Sequence, residues 1–135
     1  MPSSLPAAVP EIPVRRIDEA VAFYQRLGFT LDWGSEELGL AGISKDNCRR
    51  FLANQRHRQA YGNVAPTMTW LNLDSRDEVD ALYQEWIGRA APLSAPESKP
   101  WGLHEFAIAD VDGNLLRVFY DFATAERLEA NDAGA

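Results

Sequence analysis

Two stretches of the chain carry apolar residues at helical spacing, and seven shorter runs are rich in branched and aromatic side chains. Ala20, Val21, Phe23, Tyr24 and Leu27 recur on one helical face, with Asp18 as a capping residue before them and Gly28 as a left-handed stop after them. This pattern predicts a helix over 18–27. Ser75 and Glu78 have the spacing of a capping box, and Val79, Leu82, Tyr83, Trp86 and Ile87 follow on one face before Gly88. A second helix is predicted over 76–87. Strands are predicted at Ile12–Val14, Phe29–Trp33, Leu38–Ile43, Arg50–Ala53, Met68–Leu73, Trp101–Ala109 and Leu115–Tyr120. Pro92, Pro96 and Pro100 mark a loop, Asp110–Asn114 has the composition of a hairpin turn, and the polar tail at 123–135 is expected to fray.

Laying Asp18–Gln25 on Asp77–Gln84 matches five of eight positions, and each helix follows one strand and precedes several. The chain is therefore expected to be α+β, built from two β-α-β-β-β modules at about 8–60 and 66–122 within one domain over 1–135. A module with one helix covers one face of its sheet only. Pairing two modules as a curved mixed sheet around a cleft is the economical solution.

Composition narrows the chemistry. A chain of 135 residues with 46% hydrophobic and 24% charged residues has the size of one domain, not of a multidomain enzyme. Thirteen basic against twenty acidic residues give a net charge of −7, the wrong sign for a nucleic-acid partner. No apolar run approaches the roughly 20 residues of a membrane helix, and Met1–Pro6 lacks the features of a signal peptide, so no membrane partner and a cytoplasmic location are expected. Cys48 is a single cysteine, so no intrachain disulfide forms; its thiol is read as inert. His57 sits between Arg56 and Arg58 in what reads as a solvated loop, and His104 and Glu105 are adjacent in a strand, on opposite faces. Arg49, Arg50, Arg56 and Arg58 read as a solvated basic edge, and no phosphate-binding glycine motif is present.

Pro13–Ile17 followed by Ala20–Phe29 resembles the opening of the vicinal-oxygen-chelate superfamily, which includes glyoxalases and dioxygenases. Pro100-Trp101-Gly102, Glu105-Phe106 and Asp110–Asn114 resemble the closing hairpin of its bleomycin-resistance branch, and the likeness spans about residues 8–122. The resemblance implies that enzymes of this group hold a divalent metal at positions that fall here on Val9, Met68 and Arg117, with Glu11 or Asn72 nearby under a shifted register. Valine, a thioether and a guanidinium do not make a site for such an ion, so no metal and no cofactor are expected.

The same resemblance implies a homodimer that sequesters a cationic small molecule of the bleomycin type without transforming it, in clefts at the subunit interface. Pro6 and Pro10 flank the first strand as hinges for strand exchange. Trp33 and Trp101 are the expected stacking platforms, and Phe51, Trp70 and Asn72 the expected lining. Asp32, Glu36 and Glu37 are expected to supply negative potential, whereas Arg117, Arg49 and Arg50 leave an anionic or neutral ligand open. Trp86, on the apolar helix face, belongs to the core. Catalysis is not expected. The alternatives are a divergent enzyme of the superfamily, of glyoxalase, lyase or dioxygenase type, and a ligand-responsive accessory protein.

Overall fold

The computed structural model describes residues 6–59 and 65–133. The chain forms two compact units, Met1–Pro66 and Thr67–Ala135. The first contains β1 (Glu11–Pro13), α1 (Ile17–Arg26), β2 (Thr30–Ser35), β3 (Leu40–Lys45), β4 (Cys48–Ala53) and α2 (Gln55–Arg58). The second contains β5 (Met68–Asn72), α3 (Arg76–Trp86), β6 (Pro92–Ser98), β7 (Leu103–Ala109), β8 (Leu115–Asp121) and α4 (Phe122–Ala133). Each unit builds one four-stranded mixed sheet, in the order β1-β4-β3-β2 and β5-β8-β7-β6. In both, the first strand pairs parallel with the last and the other neighbours are antiparallel. The repeated α+β topology expected from the duplicated helix motif is present.

Helices α1 and α3 form for different local reasons. Ser75 Oγ accepts from the Glu78 backbone N–H at 3.1 Å, as the capping box predicts, while the Glu78 carboxylate accepts from the Asp74 backbone N–H at 2.7 Å. Asp18, by contrast, is not the N-cap of α1. That place belongs to Arg16, whose side chain caps nothing; Asp18 lies in the first turn, accepting from the Glu19 N–H and from the Arg16 guanidinium. A carboxylate favours that position through the helix dipole alone. The Arg16 hydrogen bond holds the Asp18 carboxyl below its usual range. Gly28 ends α1 with φ +98, the left-handed geometry that glycine adopts without strain.

Each helix covers one face of its own sheet. In the first unit Tyr24 packs edge-on against Phe23 and Phe29, above Ile43 and Leu52. In the second, Trp86 is buried and meets Phe106, which Tyr83 also contacts edge-on. The core expectation for Trp86 holds.

Four segments differ from the sequence reading. The proline-marked loop contains the edge strand β6, where Pro92 and Pro96 are tolerated because the strand pairs on one side only and its register slips twice. The tail expected to fray continues as α4, capped by Asp121, whose carboxylate accepts from the Thr124 N–H at 2.9 Å and hydroxyl at 2.8 Å. That N–H also holds the Asp121 carboxyl below its ordinary range. His57 lies in the short helix α2, not in a loop; Asn54 caps it, and His57 Nε2 stands 3.8 Å from Glu11. The basic cluster is a solvated edge only in part: Arg49 and Arg56 are exposed, with Arg56 donating to the Glu37 carbonyl, whereas Arg58 is half-buried and donates to the Ala53 carbonyl at 3.1 Å, and Arg50 is buried against Tyr24.

The hairpin turn is present: the Asp110 N–H donates to the Asn114 carbonyl, and the Asp110 carboxylate accepts from the Asp112 and Asn114 backbone and the Asn114 amide. The Asn114 amide oxygen also accepts from the Thr67 N–H at 2.8 Å, fixing the start of β5. Among the described residues no helix is long and apolar enough to cross a membrane.

Candidate ligand-binding site

Strand alternation gives each sheet a second face, turned away from its helix, and the aromatic candidates gather there. In the first unit the register places Glu11 opposite Phe51, and Phe51 opposite Gly42, on the face away from Arg50 and α1. Trp33 joins them because of a bulge. Leu31 pairs with Ile43 and Trp33 with Gly42, so Asp32 is an extra residue that turns Trp33 onto the Phe51 face. The two rings meet edge-on with centroids 5.2 Å apart, and Arg49 lies 6.0 Å from the Phe51 centroid.

Gly42 is the seat of the indole. A Cβ at this position would collide with Trp33 Nε1 and Cε2. Gly42→Ala is therefore expected to push Trp33 off the sheet at a cost of about 1–2 kcal/mol, as overpacking does. A red shift in tryptophan emission together with a lower melting midpoint is the readout; unchanged emission would place the ring elsewhere.

The predicted acidic trio separates. Asp32 is the exposed bulge residue. Glu36 is committed to the scaffold: its carboxylate accepts from the Asn54 amide at 3.2 Å and the Asp18 N–H at 3.3 Å, and lies 3.8 Å from Arg16. Glu37 is exposed in the turn between β2 and β3.

In the second unit Met68, Trp70 and Asn72 alternate onto the face turned away from α3, with Trp70 opposite Arg117 and Asn72 opposite Phe119. The Arg117 guanidinium lies 3.8 Å above the Trp70 ring centroid, one of its nitrogens is 3.7 Å from the Met68 sulfur, and Phe119 meets Trp70 edge-on at 5.5 Å. Arg117 also forms an ion pair with the buried Glu105, whose other oxygen accepts from Trp101 Nε1 at 3.1 Å. Trp101 sits in the turn before β7, is 58% exposed, and has Lys99 5.8 Å from its ring. Two indoles are thus tied through one carboxylate and one guanidinium.

The sequence reading missed Glu105 and Phe119. Their signal was the 110–114 turn, which fixes Ala107 opposite Arg117 and Glu105 opposite Phe119, diagonal to the arginine. The pair also answers the concern over Arg117: its charge is compensated, and Arg50 lies on the helix side of the other sheet.

The donor set does not fit a divalent metal. Met68 and Arg117 do come together, but as a thioether beside a guanidinium already paired with the nearby carboxylate. Val9 precedes β1, Glu11 lies near His57, and Asn72 stands opposite Phe119. Cys48 is half-buried, and burial pushes its thiol up, away from the thiolate that a metal or a nucleophilic reaction requires.

Comparison with known proteins converges on one group. Residues 7–118 match the Glyoxalase/Bleomycin resistance protein/Dioxygenase superfamily. The chain is 29% identical over 121 residues to a bleomycin resistance protein of Klebsiella pneumoniae, covering 82% of this chain and 89% of that one. It superimposes on a glyoxalase/bleomycin resistance protein/dioxygenase from Nocardioides with a TM-score of 0.72, at 20% identity over 90% of this chain and 87% of the other. It also superimposes on the bleomycin-binding protein of bleomycin-producing Streptomyces verticillus, complexed with copper(II)-bleomycin, with a TM-score of 0.65 at 26% identity over 85% and 95% of the two chains.

Proposed function

The chain belongs to the Glyoxalase/Bleomycin resistance protein/Dioxygenase superfamily, and from that membership we propose that it binds and sequesters a bleomycin-type cationic drug without transforming it, as a homodimer. One observation carries this reading: Trp101 is an exposed indole whose edge is fixed by a hydrogen bond to a buried carboxylate. An exposed aromatic ring held in one orientation offers a stacking surface at little ordering cost. Trp70 under Arg117, Trp33 against Phe51, and the edge position Asn72 supply further candidate surface for a flat heteroaromatic ligand. The similarity to the Klebsiella resistance protein and the Streptomyces drug-binding protein supports the choice of drug class.

Electrostatics favours a cation over an anion. The net charge is −7, and the one guanidinium among the second-unit candidates is compensated by Glu105. Steering is assigned to Asp32, Glu37 and the overall charge, with Glu36 contributing less because Arg16 and Asn54 hold it.

Bleomycin is expected to quench tryptophan fluorescence and to bind more weakly as salt rises, since the attraction is screened over a Debye length of about 10 Å at 0.1 M. Trp101→Ala is expected to weaken binding about tenfold at any salt, through faster dissociation. Calorimetry on the wild-type protein decides the reading: no heat at high micromolar drug overturns it, whereas binding unaffected by Trp101→Ala moves the site elsewhere. Light scattering tests the dimer, which a monomeric mass at micromolar concentration would rule out.

A further inference from the structure

Outside the aromatic faces, a second constellation stands on the helix side of the second unit. Ser98, at the end of the edge strand β6, pairs in register with His104 on β7. The Ser98 hydroxyl lies 2.9 Å from His104 Nδ1, and His104 Nε2 lies 2.8 Å from the Asp80 carboxylate on α3. The sequence offered no hint of this arrangement, because the three residues are brought together by the packing of α3 on the sheet.

For a neutral His104 imidazole, one tautomer satisfies both contacts. An ionised carboxylate only accepts, so the neutral imidazole carries its proton on Nε2 and donates it to Asp80. The Nδ1 lone pair then faces Ser98, whose hydroxyl donates to it. Hydroxyl, imidazole and carboxylate stand in series, the order in which a general base activates a nucleophile and a third group orients that base. The imidazole side chain is 12% exposed, which shields it from competing water, while Ser98 is exposed and open to a reagent.

We propose that Ser98 is an activated nucleophile that takes an acyl group from small activated carboxylic esters, with His104 as general base and Asp80 as the residue that positions it. Oγ attacks the ester carbonyl carbon while its proton passes to His104 Nδ1. The carbon–oxygen bond to the aryl group then breaks, and the leaving phenolate takes that proton from the imidazole. The acyl group remains as an ester on Ser98. Water, deprotonated by the same imidazole, later releases it as a carboxylic acid and restores the hydroxyl. Aryl esters are the fitting class because their leaving groups depart readily, so the reaction depends on the nucleophile and base more than on stabilising a tetrahedral oxyanion. This activity is independent of the drug-binding reading and uses none of its residues.

The test is the full-length protein with 4-nitrophenyl acetate, following nitrophenolate release and locating the acetyl group by peptide mass spectrometry. The expected result is a burst of one nitrophenolate per chain with the acetyl group on Ser98. Ser98→Ala is expected to abolish the burst, and His104→Gln to slow it about 100-fold, the scale of a general-base contribution. Asp80→Asn is expected to slow it about tenfold, and Asp80→Glu, which keeps a carboxylate on the exposed helix surface, to restore most of the rate. That recovery distinguishes orientation of the base from a structural role. Circular dichroism melts on each variant confirm folding. Acetylation confined to lysines or the amino terminus, or a Ser98 rate that is unchanged in either His104→Gln or Asp80→Asn, overturns the proposal.

Discussion

Glu105→Ala is expected to destabilise the protein by about 2–3 kcal/mol and to weaken drug binding at least tenfold, the largest combined loss of any single change at the candidate site. The carboxylate is buried and accepts from both Arg117 and Trp101. Removing one partner of a buried pair costs about 3–5 kcal/mol because the remaining charge is stranded. The lower figure applies here because the Arg117 side chain is 26% exposed and so regains some water. Binding falls for a separate reason: the Trp101 ring loses its anchor and the Arg117 guanidinium is free to leave the Trp70 face. Glu105→Gln keeps an acceptor for the indole but not the charge, and should fall between wild type and alanine. Adding Arg117→Met to Glu105→Ala should recover much of the stability without recovering binding. Urea melts and drug titrations on the same samples separate the two effects; a Glu105→Ala protein as stable as wild type would show that Arg117 is solvated and the pair carries little.

Arg50→Met is expected to act in the opposite direction, raising stability by about 1–3 kcal/mol. Arg50 is 0% exposed, its Nη2 reaches the Tyr24 hydroxyl only at 3.4 Å, and its guanidinium lies 5.4 Å from the Tyr24 ring centroid. Among the described residues no protein group accepts from its Nε or Nη1. A buried cation in that position bears a desolvation cost that one long hydrogen bond and one cation–π contact offset only in part. Methionine fills similar space with a flexible apolar chain. Arg50→Ala, which leaves a cavity, should instead destabilise, so the two substitutions together distinguish removal of charge from loss of packing. Thermal melts are sufficient, and an Arg50→Met protein that melts lower than wild type would mean the guanidinium is well satisfied where it lies.

These two residues also mark where the sequence stopped being informative. Helix α3, its Ser75 cap, the left-handed Gly28 and the Asp110–Asn114 turn are encoded by neighbours in the chain, and local pattern was enough for each. The doubled β-α-β-β-β order followed from the repeated helix motif. Strand β6 was hidden because prolines are read as breakers, and an edge strand needs only one set of backbone donors. Helix α4 was hidden because its surface is polar, although the Asp121–Thr124 spacing is a cap that a closer reading would have found. Trp33, Phe51, Trp70 and Trp101 were legible as candidates through the resemblance to the superfamily. What they touch was not. The Glu105–Arg117 pair depends on hairpin register, the burial of Arg50 on which face of β4 meets α1, and the separation of Glu36 from Asp32 and Glu37 on contacts with Arg16 and Asn54, all of them set by tertiary packing.

The bulge at Asp32 makes the facing of the indole a property of strand irregularity and not of strand length. Along a regular strand, one added residue inverts the facing of every side chain beyond it, but a bulge absorbs that residue and restores the alternation. Loss of Asp32 would therefore keep Leu31 opposite Ile43 and Trp33 opposite Gly42, and the indole would stay on the Phe51 face of a straighter strand. Flattening the bulge with Asp32 retained would instead pair Asp32 with Gly42 and Trp33 with Ala41, turning the indole toward the side occupied by Ile43. The presence of the tryptophan in a related sequence thus does not by itself say which face of the first unit carries its ring.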